Sequence, residues 1–282
     1  MSEITAPRSS RRRAVLTTAV LAAVALLASC AGPDAGSDAS PSDTDPSASA
    51  SESTASAVEQ VTGDLVVFAA ASLQGVFEEL GTTFEEQHPG VSVTFSFAAS
   101  SALAEQVNSG APVDVLATAS ASTMEQAAAE VTDPVTFASN TLVIVSPTNS
   151  QGGVTGLADF ANPDLTLAVC AVEVPCGAAA STVFEAAGVT PSVDTYAENV
   201  TAALNLAASG EVDASLVYAT DARSAGDTVT TITFPEAAEA VNDNLIAVAT
   251  AAPNPHAARA WVDLVLSAEG TAVLEAAGFD LP

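Results

Sequence analysis

The sequence predicts an α/β fold arranged as two lobes, and three observations carry that expectation. From Asp64 onward, apolar runs of β-forming residues alternate with segments whose apolar residues recur at helical spacing. The alternation comes as two similar sets in tandem, with no repeat of fixed period. Hydrophobic residues make up 49% of the 282, enough to give each set a core.

Taken in order, DLVVFAA (64–70) reads as a buried strand. Leu73, Val76, Phe77, Leu80 and Phe84 then repeat at helical spacing as far as His88-Pro89-Gly90. VSVTFSF (91–97) alternates as a second strand, and a short helix, ALAEQVNSG, follows and stops at Gly110. VDVLAT (113–118) is a third strand. The second set begins with the strand NTLVIVSP (140–147), a short helix near GLADFANP (156–163), the strand LTLAVCA (165–171) and a helix closing at Gly188. The helix VTAALNLAASG (200–210) and the strand ASLVYAT (214–220) come next. A last strand, NLIAVAT (244–250), precedes two terminal helices, PHAARAWVDLVLS and EGTAVLEAAG. The alternation implies βα units on parallel sheets with right-handed crossovers.

Ahead of this lies a different kind of sequence. Basic RSSRRR (8–13) is followed by the apolar run AVLTTAVLAAVALLA and the small-residue box LASC, Leu27 to Cys30. This resembles a bacterial lipoprotein signal, whose box ends in a cysteine that takes a lipid and becomes the new N-terminus. A membrane anchor is the alternative, but the apolar run is short for a span. The paired arginines leave both general and twin-arginine export open. Residues 1–29 are therefore expected to be a signal peptide, with the protein held on the outer face of the cell membrane through Cys30. Residues 30–60, rich in Ser, Asp, Pro and Ala, have too little apolar surface to offset their conformational entropy and are expected to form a disordered tether. As a flexible coil it would reach about 30 Å.

Charge narrows the function. Four of the six basic residues precede Cys30, as does one of the 34 acids, so 33 acids remain against Arg223 and Arg259, a formal charge near −31. Nucleic acid is excluded as a partner, because phosphate neutralisation needs basic clusters. Any anionic ligand would have to be held by something other than lysine and arginine. The other two cysteines, in CAVEVPC (170–176), are close enough to form a disulfide outside the cytoplasm, or are two buried thiols. No second cysteine or histidine cluster accompanies them to make a zinc site.

The strand-to-helix junctions are built from small residues. Ser72 stands at the start of the first helix and Ser100 or Ser101 at the start of the second, where each could cap free N–H groups. VEVPCGAAAS and AENVTAAL place two more helix starts after strands or loops. In open α/β sheets such points lie beyond the carboxyl ends of the strands, where ligands bind. Several helix N-termini meeting in one cleft would hold an oxyanion with N–H donors and partial positive charge alone. Asp114 and Asp221 are expected to be structural acceptors, since a carboxylate facing an anion repels it.

These stretches carry a family resemblance. FAAASL (68–73), FEEQHPGVSVTFSFAASSALAEQVNSGAPVDV (84–115), NTLVIVSP, VPCG (174–177), VTAAL with the distant VYATDA (217–222), and EAAGF (275–279) resemble, in order, the molybdate-binding component of ABC transporters. The resemblance implies a type II periplasmic-binding-protein fold: two α/β lobes joined by a two-segment hinge around a ligand cleft, with crossings near Asn140 to Pro147 and Asn242 to Val248. On that basis residues 61–143 and 245–282 form one lobe and 144–244 the other. It also implies that Ser72 and Ser100 (Ser101 in the alternative register) offer hydroxyl and backbone N–H groups to an oxyanion. Cys176 and Val200 would add backbone N–H groups, and Tyr218 its hydroxyl. Cys176 departs from the small alanine common in that family, and its loop is one residue shorter than in some relatives. The implied ligand is molybdate or tungstate, with no cofactor, no enzymatic activity and no direct protein ligand to the metal. The implied partners are a membrane permease and its ATPase, with the binding protein a monomer.

Other readings have less behind them. A serine hydrolase would need a base near Ser72 or Ser100, but there is no G-x-S-x-G elbow and no lysine for S-x-x-K, and only His88 and His256 are available. A cation site of paired tyrosines does not fit Tyr196 and Tyr218, which are not adjacent, and Trp261 sits in a core-like helix pattern. Tyr218 could equally be a packed core tyrosine. Sulfate and phosphate remain the neighbouring anionic alternatives.

Overall fold

The computed structural model describes residues 61–150 and 152–282. The expected signal peptide, Cys30 and the tether lie outside the described residues. The strands are β1 (Thr62–Ala70), β2 (Gly90–Ala98), β3 (Val115–Thr118), β4 (Val131–Asn140), β5 (Leu142–Pro147), β6 (Leu167–Cys170), β7 (Thr195–Ala197), β8 (Ala214–Tyr218), β9 (Val229–Ile232) and β10 (Asn242–Ala249). The α-helices are α1 (Gln74–Gln87), α2 (Ser100–Asn108), α3 (Ala121–Gln126), α4 (Pro175–Ala187), α5 (Val200–Ala208), α6 (Ala219–Ala225), α7 (Pro255–Leu266) and α8 (Ala268–Ala277).

Two five-stranded sheets result, in the orders β2-β1-β3-β10-β4 and β7-β6-β8-β5-β9. They are mixed rather than parallel, which corrects the expectation from the βα alternation. β1 runs parallel to β2 and β3, and β6 to β7 and β8, but β10 is antiparallel to β3 and β4, and β5 to β8 and β9. The reason is the route of the chain. β1, β2, β3 and β8 point their carboxyl ends at a shared cavity, whereas β5 and β10 arrive from the opposite sheet and must run away from it. β5 joins the second sheet from Leu142 and β10 the first from Asn242, slightly ahead of the boundaries expected at 144 and 245.

Alternation along β1 shows why the first sheet is covered on both faces. Leu65, Val67 and Ala69 pack into one buried cluster, with Phe77, Phe84, Trp261 and Leu274 of α1, α7 and α8. Phe68 faces the other, with Leu103, Val107 and Met124 of α2 and α3. Trp261 is fully buried, its ring 5.4–5.6 Å from those of Phe77, Phe84 and Phe95. It is core, as its helical pattern suggested. The second sheet has its own cluster, from Leu142 and Ile144 through Val183 and Phe184 to Leu216.

Asp114 is a structural acceptor. Its buried carboxylate takes N–H bonds from Val66 (2.8 Å) and Asn254 (2.6 Å), and Asn254 in turn caps α7. One acid thereby ties the returning C-terminal helices to the first strand.

Only Thr141 separates β4 from β5. Its N–H donates to Asn140 Oδ1 (3.0 Å) and its carbonyl accepts from Ala219 N–H (2.9 Å), while Asn140 Nδ2 donates to Thr220 Oγ1 (2.7 Å). On the return crossing, Asn242 Nδ2 donates to the carbonyl of Ala119 (2.8 Å).

Candidate functional site

Four helix starts and one strand end converge on a cavity of about 20 Å³. Ala70, Ala71 and Ser72 line it from the end of β1 and the 3-10 turn that leads into α1. Ala98, Ala99 and Ser100 do so from the β2–α2 junction, and Ala119 from beyond β3. The second sheet supplies Val174, Pro175 and Cys176 at the start of α4, Asn199 and Val200 at the start of α5, and Tyr218 at the end of β8. Ser72, Ser100, Cys176, Val200 and Tyr218 therefore meet in one place. Ser101, one step along α2, is not among the lining residues.

The serines are not caps. Ala70 precedes the 3-10 turn and Ala99 precedes α2, both in extended backbone (φ −52°, ψ 142° and φ −58°, ψ 136°), and neither helix start has a side-chain cap bond. With alanine in the cap position, the serines fall in the first turn and their hydroxyls are not spent on their own helices. Ser100 Oγ instead accepts the N–H of Ala119 at 3.0 Å. That bond occupies an oxygen lone pair and leaves the hydroxyl proton to donate elsewhere. By contrast, α5 is capped: Asn199 Oδ1 accepts from Ala202 N–H at 2.9 Å. Asn199 lines the cavity yet was not singled out from the sequence, although an Asn just ahead of the apolar run VTAAL is an N-cap signature.

The first-turn N–H groups of an α-helix have no partner within the helix. Ser100 and Val200 are the first residues of α2 and α5, and Cys176 the second of α4. Their N–H groups are thus available to the cavity, each backed by the positive end of its helix. Cys170 and Cys176 are joined by a disulfide, Cα atoms 5.7 Å apart, which ties the end of β6 to this first turn.

Tyr218 is almost wholly buried, and its Oη has no hydrogen-bond partner among the described residues. Burial pushes its phenol well above the ordinary range, and the nearby Asp221 carboxylate adds to the shift, so the phenol is a proton donor and not a phenolate. Asp221, itself buried, is pushed up from 3.8 to about 7 by desolvation, partly opposed by the N–H of Tyr218, which donates to its Oδ2 at 3.2 Å. The lining contains no Arg, Lys, His, Asp or Glu. It offers hydroxyl and peptide donors in a confined, largely apolar setting, where such bonds to a charged group gain strength. This is chemistry for holding a small anion.

The two histidines stand elsewhere: His88 packs on Phe84 at the end of α1 and His256 is exposed on α7. Neither lines the cavity, so the serines have no imidazole in its walls. Tyr196 is 65% exposed on β7, away from Tyr218. Among the described residues there is no cluster of three or more His, Cys, Asp or Glu able to hold a metal, and no helix is long and apolar enough to cross a membrane.

Two sheets with a donor-lined cavity at their facing strand ends define a two-lobed solute-binding protein. Residues 65–280 match the family described as bacterial extracellular solute-binding protein, and the chain belongs to that family. It is 40% identical over 221 residues to the molybdate-binding protein ModA of Mycobacterium tuberculosis, covering 77% of this chain and 85% of that protein. It is 31% identical over 187 residues to ModA of Escherichia coli (62% of this chain, 72% of that protein). Among solved structures, the Azotobacter vinelandii periplasmic molybdate-binding protein shares the fold with a TM-score of 0.69 at 21% identity, covering 77% of this chain and 99% of that one.

Proposed function

We propose that this protein captures molybdate outside the cytoplasm for an ABC importer and also accepts tungstate, which has the same shape and charge. The observation that carries the reading is the cavity itself: hydroxyl and peptide donors from four junctions, one partnerless buried phenol, and no charged side chain. The 40% identity to a molybdate-binding protein points to the same ion. The hydroxyls of Ser72, Ser100 and Tyr218 and the N–H groups of Ser72, Ser100, Cys176 and Val200 are its donors. Binding is capture without bond-making: the lobes close because the ion interacts better with the closed arrangement than with the open one. The loaded form then docks on a permease driven by an ATPase.

The signal-like residues 1–29 and Cys30 support export and lipid attachment, with residues 30–60 as the tether. We assign residues 61–141 and 242–282 to one lobe and 142–241 to the other, close to the bounds expected from the sequence, and take the protein to act as a monomer. Sulfate is smaller than molybdate and would leave some donors out of reach. Phosphate can carry a proton, which a donor-lined cavity serves poorly.

The test is a thermal-shift series with molybdate, tungstate, sulfate and phosphate. At about a thousandfold excess over Kd, binding adds about 4 kcal/mol, a rise of about 8–16 °C for a protein of this size. Molybdate and tungstate are expected to give that rise. No rise with either sinks the reading, and a rise with sulfate alone moves the protein to a neighbouring anion class.

A further inference from the structure

We propose that Arg223 makes the groove beside the cavity an outer subsite for the oxyanion, where the ion is first captured before it passes Ser72 to the inner site. This rests on the anion-binding reading above. The groove, about 460 Å³, is walled by both sheets' layers: Ser72 and Glu78 on one side, Thr201, Asp221 and Arg223 on the other, and Phe279 of the C-terminal segment. It shares Ala71 and Ser72 with the inner cavity, so the two spaces adjoin at the turn that leads into α1.

The two sites divide the work by charge. The inner cavity has dipoles and no cation, which suits tight, dry holding but exerts little pull at a distance. The chain beyond residue 29 keeps only two arginines and no lysine against its many acids. An anion approaching such a surface is repelled unless a cation stands at the mouth of its path. Of the two arginines, Arg223 is exposed in the groove, whereas Arg259 is exposed on α7 and lines neither space.

The position of Arg223 is built. It lies in the last turn of α6, and its side chain runs beside Gly278, which follows α8 on the other sheet's layer. A Cβ at Gly278 would sit 3.2 Å from Arg223 Cδ and 3.5 Å from Nη1, and its φ of +96° is one that glycine adopts readily. Gly278 is the left-handed C-cap of α8, and the Arg223 side chain packs along that turn at the edge of the groove. Two carboxyls, Glu78 and Asp221, share the walls. Glu78 accepts a bond from Gln74 Nε2 at 3.0 Å and Asp221 is directed at the Tyr218 backbone. Arg223 is the one cationic side chain among the groove's lining residues.

The experiment uses radiolabelled molybdate and the full chain. Equilibrium dialysis gives Kd, an unlabelled chase gives the dissociation rate, and their ratio gives the association rate. Arg223→Gln is expected to slow association about tenfold at low ionic strength, with the deficit shrinking to under about twofold at high salt and dissociation unchanged. Arg223→Lys should keep most of the rate. Arg259→Gln, which changes net charge equally, should associate like wild type. An unchanged association rate in Arg223→Gln, or an equal loss in Arg259→Gln, overturns the subsite. Faster dissociation with unchanged association also overturns it and makes Arg223 a cross-lobe clasp. Wild-type protein that holds no molybdate overturns the ligand reading instead, and this one with it.

Discussion

Replacing Tyr218 by Phe separates a ligand donor from a packed core tyrosine. Tyr218 lines the cavity, and its Oη is buried with no partner among the described residues. In the ligand-free protein its removal takes away a polar group that no protein bond satisfies, so the transition midpoint should hold or rise, by about 2–4 °C for each kcal/mol gained. With the oxyanion bound, the same change deletes a hydrogen bond to a charged group, worth about 1.5–3 kcal/mol. That corresponds to about a ten- to hundredfold weaker Kd. Calorimetry provides both readouts, as a titration with molybdate and as a scan of the ligand-free protein. Affinity within twofold of wild type would refute the donor role, and a large drop in ligand-free stability would refute the claim that the hydroxyl is unpartnered.

The two serines should behave differently from each other. Ser100→Ala strands the N–H of Ala119 and is expected to cost about 1–3 kcal/mol in ligand-free stability as well as tenfold or more in affinity, whereas Ser72→Ala should weaken binding with little change in midpoint. Denaturant melts paired with titrations decide this. Val200→Pro tests a peptide donor directly. Position 200 is the first of α5, where proline is well tolerated, and Asn199 is already extended (φ −158°, ψ 173°), so the helix should persist by circular dichroism while affinity falls tenfold or more. Finally, Asp221 has a folded pKa of about 7 against 3.8 ordinarily, so the folded state keeps a proton that the unfolded state releases between them. Its contribution to stability is fully present below about pH 4 and lost as pH rises to about 7, and the ionised carboxylate beside Tyr218 should also weaken anion binding above that pH. Asp221→Asn should flatten both profiles, and profiles unchanged by the substitution would rule the assignment out.

Much of this fold was legible because its buried elements are long and periodic. β1, β2, α1 and α7 show their spacing plainly in apolar residues. β4 did not, because Thr132-Asp133-Pro134 reads as a turn: Asp133 has φ of 46°, the pairing with β10 shifts register twice, and five consecutive residues are exposed. The three residues of β7 and the six of α3 are too short for a period to register. Strand direction was hidden for another reason. β5 and β10 have the same composition whichever way they run, and only the route between lobes sets it. At the site, the junction serines were visible from local sequence, but the capping open to them there is not what they do. Capping depends on backbone angles at Ala70 and Ala99 that composition does not encode, and the bond from Ala119 to Ser100 joins segments distant in the sequence.

The single-residue crossing at Thr141 has a consequence for how this protein tolerates change. Thr141 is held to Ala219 and Asn140 to Thr220, the two residues immediately after Tyr218. The crossing and the phenol therefore share one turn of backbone. A substitution at Asn140 or Thr220 is expected to reach the cavity by shifting Tyr218, even though neither residue lines it.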